Sequence, residues 1–264
     1  MIARRSHIQR LRIAVAPIAL GALGLSIFIG LWTSAALSLG KPVLLPSPWA
    51  VFQSYGDLIA DGSLFKDIQA SIKRVFIGFS TAALIAVPLA LVLAYSRVLR
   101  GLVMPLIALI RPIPPIAWIP LAILWMGLGD PPSFFITAIA AFFPIFLNSF
   151  AGGTSLKEEH VNAARSLGAG PAALLATVML PSALPMIATG LRIGLGQAWM
   201  AVVTAELIAA QSGLGYMIQI SRLSLETSRV LVGMTVIGLL GALMIGLLGI
   251  LERRVIVPWN HPAK

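Results

Sequence analysis

Long apolar runs dominate the chain, and one polar stretch interrupts them near the middle. The runs lie at about 13–39, 70–95, 102–128, 133–150, 182–210 and 230–251. A helix needs about 20 apolar residues to cross a bilayer, so the pattern predicts six transmembrane helices. The interrupting stretch, 154–181, reads TSLKEEHVNAARSLGAGPAALLATVMLP and must lie outside the lipid. Ser155 and Glu158 have capping-box spacing, which predicts a helix start there. Gly168 supplies a stop, and Pro171 after Gly170 suits a first helical position. The prediction is two short helices joined at an elbow on one membrane face. Val161, Ala164 and Gly168 share one small, apolar stripe of the first helix. Such a stripe suits a groove on a partner protein, or equally a helix resting on lipid headgroups.

The connecting segments carry their own signals. Residues 40–68 begin with Pro42, Pro46 and Pro48, and from Pro48 a short interfacial helix is predicted. Asp57, Asp61 and Asp67 in this segment suit the outer face. Pro88 is expected to kink or interrupt the second span. The third contains Pro105, Pro112, Pro114, Pro115 and Pro120. Each internal proline removes a backbone hydrogen bond, which is tolerated at membrane depth only beside protein or water. This span is therefore expected to be internal. Gly129-Asp130-Pro131-Pro132 reads as an outer turn, Gln211–Arg229 as an outer connection, and Asn148 in the fourth span requires an interhelical partner.

Composition agrees with a polytopic membrane protein. Of 264 residues, 58% are hydrophobic and 11% charged, against about 25% charged in a soluble domain. The net charge of +10 does not point to nucleic acid, because the basic residues cluster at span ends. Arg4, Arg5, Arg10 and Arg12 precede the first span, Arg97 and Arg100 separate the second and third, and Lys157 and Arg165 lie in the elbow. With Arg253, Arg254 and Lys264 at the end, this bias places both tails and the elbow in the cytoplasm. The first apolar run is too long for a signal peptide and is read as a retained span. There is no cysteine and no GxxxxGK[ST] loop, so ATP, if used, is bound by another chain. His7, His160 and His261 lie in tails or the elbow, and no catalytic motif is present, so an enzyme is not expected.

Arg111, Arg192 and Glu206 are the ionisable residues read as intramembrane, each costing about 2.5–3.5 kcal/mol or more at a helix centre if unpaired. Arg192 and Glu206 are fourteen residues apart, about 21 Å along one helix, too far to pair within it. Either arginine lines a path that favours an anionic solute, or each forms a structural ion pair between spans or subunits. Gly190 and Gly194, in GxxxG spacing, are read chiefly as bundle packing.

The elbow also resembles a known family. Asn162-Ala163-Ala164, Gly168, Val178 and Leu180-Pro181 match the EAA motif of ATP-binding-cassette importer permeases at every spacing. The motif's leading glutamate is Asn162 here. LLPSP at 44–48, ASIKRVFIGF at 70–79, LIRPIPPIAWIPLAILWMGLG at 109–129 and GLGY at 213–216 look like one subfamily, for aliphatic sulfonates, taurine, nitrate, bicarbonate or pyrimidine-type vitamin precursors. The resemblance implies an all-α type I importer permease with six transmembrane helices. The expected layout is a basic tail at 1–12, a first helix at 13–39, a periplasmic segment at 40–68, a five-helix core at 69–252 with coupling helices at 155–180, and a tail at 253–264. It implies ATPase docking through Val161, Asn162, Ala163, Ala164, Arg165, Leu167, Gly168, Leu180 and Pro181. Arg111, Pro114, Pro115, Arg192 and Glu206 are the candidates for the path or for ion pairs. No cofactor is expected on this chain; ATP and magnesium belong to a partner. The expected partners are two ATPase subunits, a second permease copy, a periplasmic or lipid-anchored solute-binding protein and membrane lipid, in the inner membrane. The competing reading is an ion-gradient-driven secondary transporter with Glu206 as its ion site.

Overall fold

The computed structural model describes residues 2–255, with side chains from Leu20 onward except Glu158, Arg253 and Val255. Of the tail predicted at 253–264, residues 256–264 lie outside the described residues. All regular elements among the described residues are helices. Five are long and apolar enough to cross a membrane, and a sixth span is a pair bent by 91°.

The centre of the bundle is α6 (Asp130–Thr154), packed between α3 (Ser63–Tyr95) and α9 (Leu180–Ala209). Lipid provides no hydrophobic drive between helices, so close backbone approach must supply the contact energy. Glycines make that approach possible. A Cβ on Gly78 of α3 would stand 2.6 Å from Thr137 Cβ on α6, and one on Gly194 of α9 2.7 Å from Ile145 Cγ1. Gly190 meets the Ile145 and Asn148 backbone region in the same way. The GxxxG pair is thus a packing device between α6 and α9. Phe142, Phe146 and Phe150 stack along α6, with centroids 5.7 and 6.2 Å apart.

Around this core lie α1 (Ile2–Leu39), α2 (Pro48–Ala60), α10 (Leu214–Leu223) and α11 (Thr227–Val255). From Leu20 to Leu39, α1 is exposed apart from Ala36 and a few half-buried side chains, and it is tethered where Trp32 Nε1 donates to the Pro46 carbonyl at 3.0 Å. Ser47 caps α2 by accepting from Ala50 N. α11 packs on α9 where Gly241 faces the Trp199 ring, whose Nε1 donates to the Ile237 carbonyl at 2.9 Å.

Three expectations from the sequence are corrected here. Pro88 does not interrupt α3, which runs unbroken through it. Among the described residues Asn148 has no partner across helices; its Nδ2 donates to the Pro144 carbonyl one turn back in α6. The third span is broken but not internal. Its halves, α4 (Arg97–Ile110) and α5 (Ile119–Met126), joined by a tight turn at Pro115–Trp118, bury only Ile107, Ile119 and Ala122 among the described side chains. Prolines broke the helix, and the single chain leaves the broken span on its surface.

Gly194→Leu is expected to lower stability by about 1–3 kcal/mol or more, because the side chain meets Ile145 and the Ala141 carbonyl. Gly238→Leu, where nothing lies within 4 Å, is expected to stay within about 0.5 kcal/mol of the parent. Thermal unfolding of the detergent-solubilised protein checks both.

Candidate functional site

The elbow begins differently from its capping-box prediction. Ser155 has helical φ and ψ (−77°, −7°) and closes α6; its Oγ donates back to the Gly152 carbonyl at 2.8 Å. The extended residue that starts α7 (Glu158–Ser166) is Lys157, and it makes no side-chain cap bond. A cap must be extended, and Ser155 is not. The stop works as its sequence suggests. Gly168 sits at φ +84°, with its N–H bonded to the Arg165 carbonyl and the Ala169 N–H to the Ala164 carbonyl. Those two bonds are the Schellman arrangement.

After Gly170 the chain enters α8 (Pro171–Leu174), a π-helical turn (Leu175–Met179) and α9 without a break. The elbow's second helix is therefore not short. It is the first part of one continuous element, Pro171–Ala209. α7 itself has two faces. Val161, Asn162 and Arg165 line a cavity of about 560 Å³ toward the α3–α4 turn. Ala163 and Leu167 face away, and Leu167 is 89% exposed. Ala164 is half-buried, while Leu180 and Pro181 lie at the start of α9.

The break in the third span forms a second locus. Arg111 ends α4, exposed, with no ion pair among the described residues. Pro114 and Pro115 line a cavity of about 250 Å³ with Gln197, Met200 and Thr204 of α9. The carbonyls of Arg111, Pro112 and Ile113 accept no backbone hydrogen bond among the described residues. Sequence reasoning missed Gln197 and Thr204. They lie on the less buried side of α9 with Thr189, a sparse polar marking that the apolar run obscured.

The remaining ionisable candidates are paired within the chain. Arg192 pairs with Glu252 of α11. Glu206 is fully buried and bound to Arg74, whose Nη1 donates to Glu206 Oε1 at 2.7 Å. Arg74 also donates from Nε and Nη2 to Asp130 Oδ1 (3.0 and 2.5 Å), from Nη1 to the Ser212 carbonyl (2.6 Å) and from Nη2 to Ser212 Oγ (2.8 Å). Glu206 accepts further bonds from Ser71 Oγ and Gly215 N, each 2.9 Å. Gly213 N donates to Asp67 at 2.8 Å. The glycines are required: a Cβ on Gly213 would stand 2.6 Å from Arg74 Nη1, and one on Gly215 2.6 Å from the Val203 carbonyl. The network joins α3, α6, α9 and α10 at the end opposite the elbow. Arg74 was read as a span end in the sequence. Asp67, Ser71 and Arg74 nevertheless recur at i, i+4 and i+7, a polar face that marks the site.

Comparisons with known proteins agree with this architecture. A family model described as binding-protein-dependent transport system inner membrane component matches residues 86–257. The chain is 38% identical over 234 residues to the taurine transport system permease protein TauC of Escherichia coli (strain K12), covering 87% of this chain and 85% of that one. It is 31% identical to the putative aliphatic sulfonates transport permease protein SsuC of Bacillus subtilis (strain 168), covering 89% of this chain and 86% of that one. It is 30% identical to the nitrate import permease protein NrtB of Synechocystis sp. (strain ATCC 27184 / PCC 6803 / Kazusa), covering 89% and 88%. Among solved structures, an inward-facing conformation of the MetNI methionine ABC transporter superposes with a TM-score of 0.64 at 19% identity. That match covers 76% of this chain and 98% of the other, and is a likeness of fold.

Arg74→Met leaves Glu206 buried without its cation and is expected to cost about 3–5 kcal/mol. Adding Glu206→Leu removes the stranded charge, so the double variant should melt above Arg74→Met alone. Equal melting temperatures would show that the uncompensated carboxylate is not the cause.

Proposed function

The chain belongs to the binding-protein-dependent transport system inner membrane components, the permeases of ATP-binding-cassette importers, and from that membership we propose how it couples and what it carries. It is a multi-pass inner-membrane transport component. The coupling reading is that α7 docks on a separate ATPase, which binds ATP and magnesium, and that two permease copies and two ATPase subunits form the unit beneath a solute-binding protein. Both termini and the elbow then face the cytoplasm.

The observation that supports this best is the elbow itself. Its turn is locked by the Gly168 cap, its outer face presents Ala163 and Leu167, and its far side continues directly into α9. Force applied to α7 therefore reaches a membrane-crossing helix through four residues, Leu167–Gly170. Within the docking set, Ala163, Ala164, Leu167 and Gly168 suit direct contact, while Val161, Asn162 and Arg165 line the cavity behind the helix. Leu180 and Pro181 anchor the start of α9.

For the path we favour the break in the third span and the facing side of α9: Arg111, Pro114, Pro115, Gln197 and Thr204. Free carbonyls at membrane depth need water or a second subunit over them, which supports a path at an interface between copies. The pairing of Arg192 with Glu252, and of Glu206 with Arg74, supports structural roles for both. Arg111 is then the cation that favours an anionic group on the solute. The relatives' names support a taurine or aliphatic sulfonate first, then nitrate. Bicarbonate or a pyrimidine-type precursor follow. The secondary-transporter reading is disfavoured, because the Glu206 oxygens are occupied by Arg74, Ser71 and Gly215.

Leu167→Glu and Ala164→Glu are expected to insert normally but to lose stimulation of the ATPase when reconstituted with it. Gly168→Val has open space around it, so its defect should come from backbone strain of about 1–2 kcal/mol. Normal coupled uptake in these variants would refute docking through α7. Arg111→Gln should assemble as the parent does and transport a sulfonate more slowly. Unchanged transport per assembled complex would remove Arg111 from the path.

A further inference from the structure

The cavity behind α7 has an unusual lining. Arg97, Arg100 and Arg165 converge on it, with Asn162, Thr154 and Tyr95, and among the described side chains no aspartate or glutamate lines it. Its volume, about 560 Å³, lies in the range of small-molecule sites. Arg100 is held in place, donating to the Leu93 and Ala94 carbonyls at 3.3 and 2.7 Å with its guanidinium over the Phe150 ring at 5.2 Å. Arg165 lies over the Tyr95 ring at 5.9 Å. Among the described residues none of the three has a carboxylate within 4.0 Å. Where the elbow motif elsewhere carries a glutamate, this chain presents the neutral amide of Asn162 to the arginines. Three like charges gathered around one space repel one another, and an anionic group among them relieves that repulsion.

A second feature adjoins it. An apolar groove of about 350 Å³ runs between α3 and the start of α9, lined by Val87, Leu91, Leu175 and Leu180 among others. The two spaces meet at Gly153. A Cβ there would lie 3.3 Å from Leu91 Cδ2, which lines the groove, and 3.7 Å from Met179 Cε, which lines the cavity. A basic cavity at a helix end, adjoining an apolar groove along the same helix, matches an amphiphile with an anionic head. Basic pockets between transmembrane helices are known to hold phosphate headgroups.

We propose that this is a binding site for an anionic phospholipid, with its phosphate among Arg97, Arg100, Arg165 and Asn162 and an acyl chain in the groove beside Leu91 and Leu175. The phosphate neutralises the arginines and ties the α3–α4 turn to α7. The site thereby sets how firmly the elbow is held against the membrane part. Only this last consequence rests on α7 being the ATPase-docking element; lipid binding does not.

The test uses the full chain alone in nanodiscs and in detergent, with lipid retention read by native mass spectrometry. Phosphatidylglycerol is expected to be retained in preference to phosphatidylcholine. Arg97→Gln with Arg165→Gln should weaken that preference by about fivefold per arginine, roughly twenty- to thirtyfold for the pair. Asn162→Glu, which supplies an internal carboxylate, should weaken it as well, while Arg222→Gln with Arg229→Gln, the same charge loss elsewhere, should not. Ala176→Trp, filling the groove, should weaken phosphatidylglycerol binding. An unchanged preference in the Arg97/Arg165 variant overturns the site. Inorganic phosphate binding as tightly as phosphatidylglycerol, with no effect of Ala176→Trp, overturns the lipid assignment. A second arm adds the separate ATPase: lipid retention that holds while phosphatidylglycerol leaves ATPase stimulation unchanged overturns the coupling consequence and leaves the lipid site standing.

Discussion

A guanidinium removed from water holds one end of this bundle together. Arg74 is almost wholly buried, and a charge in that position is tolerable only with every donor engaged. The chain meets the demand from three directions: the start of α6 through Asp130, the end of α9 through Glu206, and the turn before α10 through Ser212. The local sequence follows from this. Gly213 and Gly215 leave room for the arginine and the carboxylate, and the N–H groups they expose satisfy Asp67 and Glu206. Moving any one of these helices would strand a buried charge, so they move together or not at all at this end.

At the opposite face the constraint is reversed. The third span carries carbonyls that its prolines have deprived of donors, and it buries few side chains. In lipid those groups need a donor that one chain does not supply. The same surface bears Gln197 and Thr204. A rigid, fully satisfied ion cluster and an unsatisfied broken helix thus occupy different sides of α9, one fixed and one open to water or to another copy.

The all-helical class, the membrane spans and the break in the third were legible, because each rests on hydropathy or proline chemistry along the chain. The Gly168 stop was legible for the same local reason. What the sequence hid was pairing. Arg74 and Glu206 stand 132 positions apart, and nothing in either neighbourhood names the other. Arg192 had its partner in Glu252, at a helix end that reads as a polar tail. Ser155 misled because a capping spacing does not report whether the residue is already helical. The burial expected of the third span failed because proline content reveals missing hydrogen bonds but not which molecule replaces them.

The continuity of Pro171–Ala209 has a mechanical consequence. At 1.5 Å per residue this element is a rod about 58 Å long. Its midpoint falls at Gly190, where it bears on α6 through Ile145 and Asn148. A rod resting on a central fulcrum converts displacement at one end into opposite displacement at the other. A tilt of about 5° moves each end by about 2.5 Å. The elbow end and the Glu206 end are therefore the two arms of one lever, and because the Arg74 cluster ties the far arm to α3, α6 and α10, a push on α7 is loaded onto that cluster.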